Sequence, residues 1–426
     1  MTAIVGILNK HGVAIAADSA TTVSNSQGRK VLNSATKIFQ LSKKYPVAVM
    51  IYSNASFLDT PWELIIKLYC QRRGDKPKHH LSDWAKDFLD FLGDEDYFCN
   101  KEMQKASLRH HLIDYYKAAY NNSKEKYEAY LEDEDVVEKP THEELFAQEL
   151  KESEEYLKEQ EKCPELEDYS FKSFRSYAEE GIDFITENGI KDEGFSESLR
   201  EQFEHSAYEF LRSHVMLDMT GIVFVGFGED AIFPSVYPIN ISGAFDNRLR
   251  YSIDKNKADD IGNECTSLIS PFAQTDVMLT FIDGISPELR EKVTEAQQDS
   301  IDMAHQMIYR QLEEAGVSDE VLSIVANTDL EKVKEEYISG MREHLLETRS
   351  KGLFNAVESF NVEELANMAE NLVSITNLQR HITSSEETVG GPVDVAVITR
   401  CEGFIWVKRK MWFDSQLNRH VVTEEK

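Results

Sequence analysis

Basic residues are scarce in this chain. Against 76 Asp and Glu it sets only 46 Lys and Arg, a formal net charge of −30 over 426 residues. A surface that acidic repels polyanions, which argues against nucleic acid or an anionic membrane as partner. Cysteine is sparse as well. The five (Cys70, Cys99, Cys163, Cys265 and Cys401) are odd in number and scattered, with no Cys-x-x-Cys pair. That gives no support to a disulfide framework or zinc site and suits a reducing compartment. Uncharged apolar runs of about 18 residues and a basic-then-apolar leader are both missing, so no membrane span or secretory signal is read and a cytoplasmic protein is expected. No internal repeat is evident. A hydrophobic content of 41% over this length supports a sizeable core, with room for two or three domains.

What is present is concentrated in the first forty residues. Thr2-Ala3-Ile4-Val5-Gly6-Ile7 and Gly12-Val13-Ala14-Ile15-Ala16-Ala17 are apolar runs that meet at Lys10-His11-Gly12, which predicts a hairpin. Neither run alternates apolar with polar, so both faces of both strands should be covered. Asp18-Ser19 ends the second strand, and Lys37-Ile38-Phe39 opens a third. Taken singly, Thr2 is an ordinary second residue, Asp18-Ser19 a turn pair and Lys37 a solvated strand residue. Together they make chemistry. A threonine hydroxyl needs a base within hydrogen-bond reach. If Met1 is removed, Thr2 carries a free α-amine with a pKa of roughly 7.7–8.0, poised to take the hydroxyl proton. A lysine would favour the alkoxide and an aspartate would orient and pair with the ammonium. No histidine, metal or cofactor is required.

On Thr2, the Gly12-to-Ser19 run and Lys37-Ile38, the chain resembles proteasome-type β subunits and the related bacterial peptidase subunit that works with a ring ATPase. The similarity covers residues 2–56, weakens over 220–285 and returns at Gly390-Gly391-Pro392-Val393-Asp394-Val395. These proteins are N-terminal nucleophile hydrolases. The resemblance implies an α+β fold, a four-layer αββα sandwich, with catalytic Thr2, Asp18 and Lys37 cleaving amide bonds of peptides through an acyl-enzyme ester. It places Thr22, Ser53, Asn54 and Ala55 at substrate-facing or oxyanion-loop positions, with Ser53 and Asn54 standing where the family carries glycines. It sets Asp283-Gly284 at a supporting Ser/Gly loop, and Glu386 and Val389 where the family has aspartate and serine. It further implies a homo-oligomer and an activating ATPase of unassigned identity. The changed loop residues keep two alternatives open: a catalytically silent scaffold of the same fold, or an amidase for small amides.

The remainder is read from pattern. The sandwich is expected from residues 1–74 and 216–426, interrupted by an acidic, mostly helical insertion over 75–215. Val47–Tyr52 predicts a strand, and Thr60-Pro61-Trp62-Glu63 a helix start with Leu64, Ile65, Leu68 and Tyr69 inward. Asp83–Leu92 predicts a helix stopped by Gly93. The run Glu132–Asp135 and the segment Glu143–Glu167 read as solvated helix faces. His79-His80 and His110-His111 lack the i, i+4 spacing of helical metal ligands and read as surface pairs. Strands are expected at Gly221–Gly228, Phe233–Ile241, Arg248–Ile253 and Val277–Phe281. Gly226-Phe227-Gly228 has no helix after it and is no dinucleotide fingerprint. Helices are expected over 287–315, 318–348 and 361–379, with His305 and Met307 as packing residues. Strands Val393–Thr399 and Phe404–Lys408 close the fold.

Overall fold

The computed structural model describes residues 2–25, 28–93, 99–132, 139–383 and 390–411. In chain order the strands are β1 (Ala3–Asn9), β2 (Gly12–Ala17), β3 (Thr21–Asn25), β4 (Gly28–Leu32), β5 (Ile38–Gln40), β6 (Val47–Ser53), β7 (Ser56–Phe57), β8 (Thr60–Pro61), β9 (Thr220–Gly226), β10 (Ser235–Phe245), β11 (Arg248–Ile253), β12 (Asp259–Asp260), β13 (Ser267–Ala273), β14 (Asp394–Thr399) and β15 (Gly403–Lys408). The helices are α1 (Trp62–Arg73), α2 (Leu81–Leu92), α3 (Lys101–Glu132), α4 (His142–Glu159), α5 (Phe171–Ile185), α6 (Leu199–Arg212), α7 (Asp276–Asp283), α8 (Pro287–Glu314), α9 (Asp319–Ala326), α10 (Glu331–Leu345), α11 (Lys351–Ser359) and α12 (Val362–Thr383). Pairing in both large sheets is antiparallel where the register is defined, so the class is α+β. Among the described residues no helix is long and apolar enough to cross a membrane.

Two compact units divide the chain. The first takes residues 1–35, 261–397 and 406–426; the second takes 36–260 and 398–405.

The first unit is built on a sheet in the order β13-β1-β2-β14-β15. Ile4 pairs with Ala17 and Asn9 with Gly12, which confirms the hairpin, and every residue of β1 and β2 is buried. Val5, Ile7, Ala14 and Ala16 point into a cluster with Val357, Leu365, Ala369 and Val373, so α11 and α12 cover one face. Asn9 is fully buried, and its amide donates to Val357 O and Phe360 O at 2.8 Å, closing the end of α11 onto the hairpin.

Three expectations fail in this unit. Val277–Phe281 lies in a helix, α7, and the strand that pairs with β1 is Ser267–Ala273. A short apolar run suits either state. Gly284 at φ 77° supplies the left-handed residue that ends a helix, which settles the matter locally. Pro271 sits within β13 opposite Val5; its missing N–H is tolerated because β13 is the sheet's edge. The 318–348 helix is two, α9 and α10, separated at Asn327–Leu330. Helices α8, α9 and α10 bury no residue, and Met307 is 61% exposed instead of packed. His305 Nε2 lies 2.7 Å from Val325 O, tying α8 to α9.

The second unit has a sheet ordered β11-β10-β9-β6-β5. Helices α1 and α2 lie on it through Trp62, Ile65, Ile66, Tyr69, Trp84 and Phe88. The inward stripe of α1 is therefore rotated from the expected one: Leu64 is exposed, Leu68 half-buried and Ile66 buried. Thr60 and Pro61 belong to β8, and Pro61 caps the helix without a side-chain bond. Gly93 does end α2.

Helices α3 to α6 of the acidic segment have their own aromatic core, including Tyr115, Phe146, Phe174, Phe203 and Phe210, and Phe245 at the end of β10 joins it. Most carboxylates of α4 face solvent, but Glu149 is buried and accepts from Lys126 Nζ at 2.7 Å. Glu132 ends α3, and Asp133–Asp135 lie outside the described residues.

Candidate active site

β1 begins one residue after Thr2, whose carbonyl accepts from Gln274 N at 3.1 Å. That bond extends the β1–β13 ladder one step beyond the Ala3–Ala273 pair. Ala273 takes φ 62°, a left-handed conformation that costs an alanine about 1–2 kcal/mol. It turns the chain from β13 toward α7. Thr2 is 5% exposed.

Asp18, 1% exposed, leaves β2 beside it. Its Oδ1 accepts from Ala3 N at 2.9 Å, and its Oδ2 accepts from Ala20 N at 3.1 Å and Gly390 N at 3.2 Å. Its own N–H donates to Ala3 O at 3.0 Å. Backbone donors thus satisfy the buried carboxyl. The same bonds fix the head of β1 against the end of β2, next to the threonine.

The 390–392 turn completes this seat. Ser19 N donates to Gly390 O at 3.2 Å and Ser19 Oγ to Pro392 O at 2.6 Å. Gly391, at φ 75°, leaves no room for a side chain, since a Cβ there would lie 2.8 Å from the Asn33 side chain. Sequence reasoning took Ser19 only as a turn residue. It does not point to Gln274, because the expected strand is Val277–Phe281 and not Ser267–Ala273. The one available signal was a polar residue between an apolar strand and a helix N-terminus.

In the first unit, then, Thr2 and Asp18 come together. Asp283 and Gly284 do not join them at the strand-to-helix turn: they end α7, about 12 Å farther along at 1.5 Å per residue. Asp283 Oδ2 accepts from Arg290 Nη1 at 3.0 Å. Thr22 lies on β3 opposite Val31. Glu386 and Val389 fall outside the described residues.

The second unit carries Lys37 and the loop after β6. Lys37 is buried, and its carbonyl accepts from Ile51 N at 2.9 Å, just before β5. Ser53, Asn54 and Ala55 are exposed. Ser53 takes φ 72°, the region where a glycine is at ease. Around it Ala55 O accepts from Trp62 N at 3.1 Å, and Thr220 Oγ1 bonds Asn54 O at 3.4 Å. Trp62 Nε1 in turn donates to Thr220 Oγ1 at 2.9 Å.

The histidine pairs divide. His79 and His80 are exposed, and His79 Nδ1 lies 2.7 Å from Asp230. His110 is exposed but His111 is buried, which corrects its reading as a surface residue. Burial, then the Arg250 charge, holds its imidazole well below the ordinary histidine pKa, and Nε2 lies 3.5 Å from Ser242 Oγ. Among the described residues no group of three or more His, Cys, Asp and Glu is arranged to hold a metal ion.

No protein-family model and no curated protein matches the chain. Among solved structures it is similar to Anbu from Hyphomicrobium sp. strain MC1, at 8% identity and a TM-score of 0.30. It is similar also to the Gly-1 mutant of that protein, at 9% and 0.31; each match spans all of this chain and 94% of the other. Superposition at that level does not separate a shared fold from a chance one, so the functional reading rests on the chain's own residues.

Proposed function

We propose that the protein is an N-terminal threonine hydrolase that cleaves amide bonds, with peptides as substrates. The observation that carries this reading is the seat of Thr2: a nearly inaccessible threonine at the head of β1, with the buried Asp18 carboxylate bonded to the next residue's amide. Once its α-amine is free, Thr2 has a nucleophile and a base on one residue, and the Asp18 charge favours an ammonium there.

The steps balance as follows. Thr2 Oγ attacks the carbonyl carbon while its proton passes to the α-amine. The tetrahedral intermediate collapses, the C–N bond breaks, and the ammonium returns its proton to the leaving amine. Water then adds to the ester, with the amine as base, and releases the acid and Thr2. Lys37 is assigned the role of favouring the alkoxide by its charge. A backbone N–H of the Ser53–Ala55 loop is assigned to the oxyanion. Ser53 supports that assignment, because it keeps a glycine-like φ without being glycine.

A homo-oligomer is part of the proposal. The 287–345 helices bury nothing of their own and leave Met303, Met307, Ile308 and Ile324 more than half exposed, which suits a face covered by a partner copy.

The test is intact mass together with covalent labelling. Protein from its native host is expected to lack Met1, and a peptide vinyl sulfone is expected to add once, on Thr2. Retained Met1 with no labelling would sink the hydrolase and leave the silent scaffold of the same fold. Exclusive labelling by small-amide analogues would shift the substrate class.

A further inference from the structure

The loop after β6 is tied to the helical segment by a chain of polar contacts. Asn54 Nδ2 donates to Asp218 Oδ1 at 2.7 Å. Asp218 lies two residues before β9, half-buried, with its carbonyl accepting from Ser242 Oγ at 2.6 Å. Its other carboxylate oxygen faces His110 Nε2 of α3 at 3.8 Å, and Asp114, one turn along α3, holds the same nitrogen at 3.1 Å. His110 also lines an open cavity of about 470 Å³ with Lys105, Arg109 and Tyr177.

Ser53 is in a conformation a serine does not favour, so its neighbours must hold it. Ser53 ends β6 paired with Thr220 of β9, and beyond it Thr220 and Trp62 grip only the carbonyls of Asn54 and Ala55. Asp218 grips the Asn54 side chain, which otherwise has a choice of rotamers at the place where substrate would pass.

We propose that Asp218 is a positioning residue for the Ser53–Ala55 loop and that, through His110, it couples helix α3 to that loop. Its consequence for substrate rests on the hydrolase reading above; the coupling itself does not. The acidic helical segment thereby acquires a role at the site: the state of its first long helix sets how firmly the loop is held. Asp218 touches neither Thr2 nor substrate, so its effect should fall on binding more than on the chemical step.

Hydrogen exchange on the full-length protein decides the structural half. In Asp218→Ala, amides of residues 53–56 are expected to exchange about tenfold faster, while those of β9 and β10 keep wild-type rates. Asp218→Asn retains an acceptor for Asn54 and is expected to restore most of the protection. His110→Ala should loosen the loop by a smaller factor. Unchanged exchange in Asp218→Ala overturns the proposal, as does a rise spread over the whole sheet, which would mark a merely structural residue. A silent His110→Ala overturns the coupling to α3.

Labelling by a peptide vinyl sulfone reads the functional half. In Asp218→Ala the concentration for half-maximal labelling is expected to rise severalfold with the limiting rate unchanged. A lowered limiting rate at unchanged half-saturation overturns positioning. If even the wild type resists labelling, the hydrolase reading falls while the exchange result still judges the coupling.

Discussion

Thr2→Ala is expected to give a protein that folds as the parent does and hydrolyses nothing. Loss of a nucleophile that works as a unit with its base lowers turnover by about ten-thousand-fold or more. The structural cost is small. Thr2 contributes its backbone to the β1–β13 ladder, and that contribution survives the substitution. Alanine, like threonine, is small enough to permit initiator removal, so the lost activity could not be blamed on a blocked amine. Thr2→Ser keeps Oγ and is expected to retain measurable turnover. The measurement is hydrolysis of a fluorogenic peptide-amide panel with a urea melt beside it. Wild-type turnover in Thr2→Ala on any substrate the parent cleaves would make the nucleophile assignment wrong.

Arg250→Ala has the other large expected effect, on stability. The Arg250 guanidinium is completely buried, and it bonds three backbone carbonyls and a serine hydroxyl. Its Nε donates to Leu211 O at 2.8 Å, Nη2 to Phe210 O at 2.9 Å and Val215 O at 2.7 Å, and Nη1 to Ser242 Oγ at 3.0 Å. Two of those carbonyls belong to the last turn of α6, so the negative end of that helix offsets the charge. Burial brings the pKa down to about 10, which leaves the group charged at neutral pH.

Truncation would take this donor from the Leu211 and Val215 carbonyls, while Phe210 O keeps its Ser213 donors, and would leave a cavity where a long side chain had been. At about 1–3 kcal/mol per unsatisfied buried group, the loss should be about 4 kcal/mol or more. Lysine is not expected to rescue it, having a point charge and no planar fork to span three acceptors. Urea unfolding followed by tyrosine fluorescence checks this; a loss under about 1 kcal/mol would show that the buried charge is dispensable. Excising residues 95–212 removes Phe210 and Leu211 and strips Phe245 of its cluster, so the same reasoning expects that deletion to give an insoluble chain.

The β1–β2 hairpin was legible because two unalternating apolar runs flank a polar turn, a pattern that suits doubly covered strands. β13 was not legible. It carries Pro271 and two serines, and its place in the sheet depends on being an edge beside β1, which the sequence does not display. The five apolar residues of α7 mimic a strand for the same reason: local pattern cannot tell which element the rest of the fold will pair. Of the candidate site, Thr2 and Asp18 were readable from their places at two strand ends. Gln274 and Gly390 were not, because their bonds to Thr2 and Asp18 join residues hundreds of positions apart. His111 was read as surface because its neighbours Ser242 and Arg250 lie on a sheet far downstream.

The carboxylate of Asp18 draws its donors from residues far apart along the chain. Gly390 is separated from it by 372 positions. At about 5–20 residues per second, a ribosome takes roughly 20–75 s to bridge that interval. Until then the β1–β2 hairpin lacks β14, and the Asp18 carboxylate lacks its Gly390 donor. A nascent chain, or one truncated before the 390 turn, therefore holds Asp18 through Ala3 N and Ala20 N without Gly390 N.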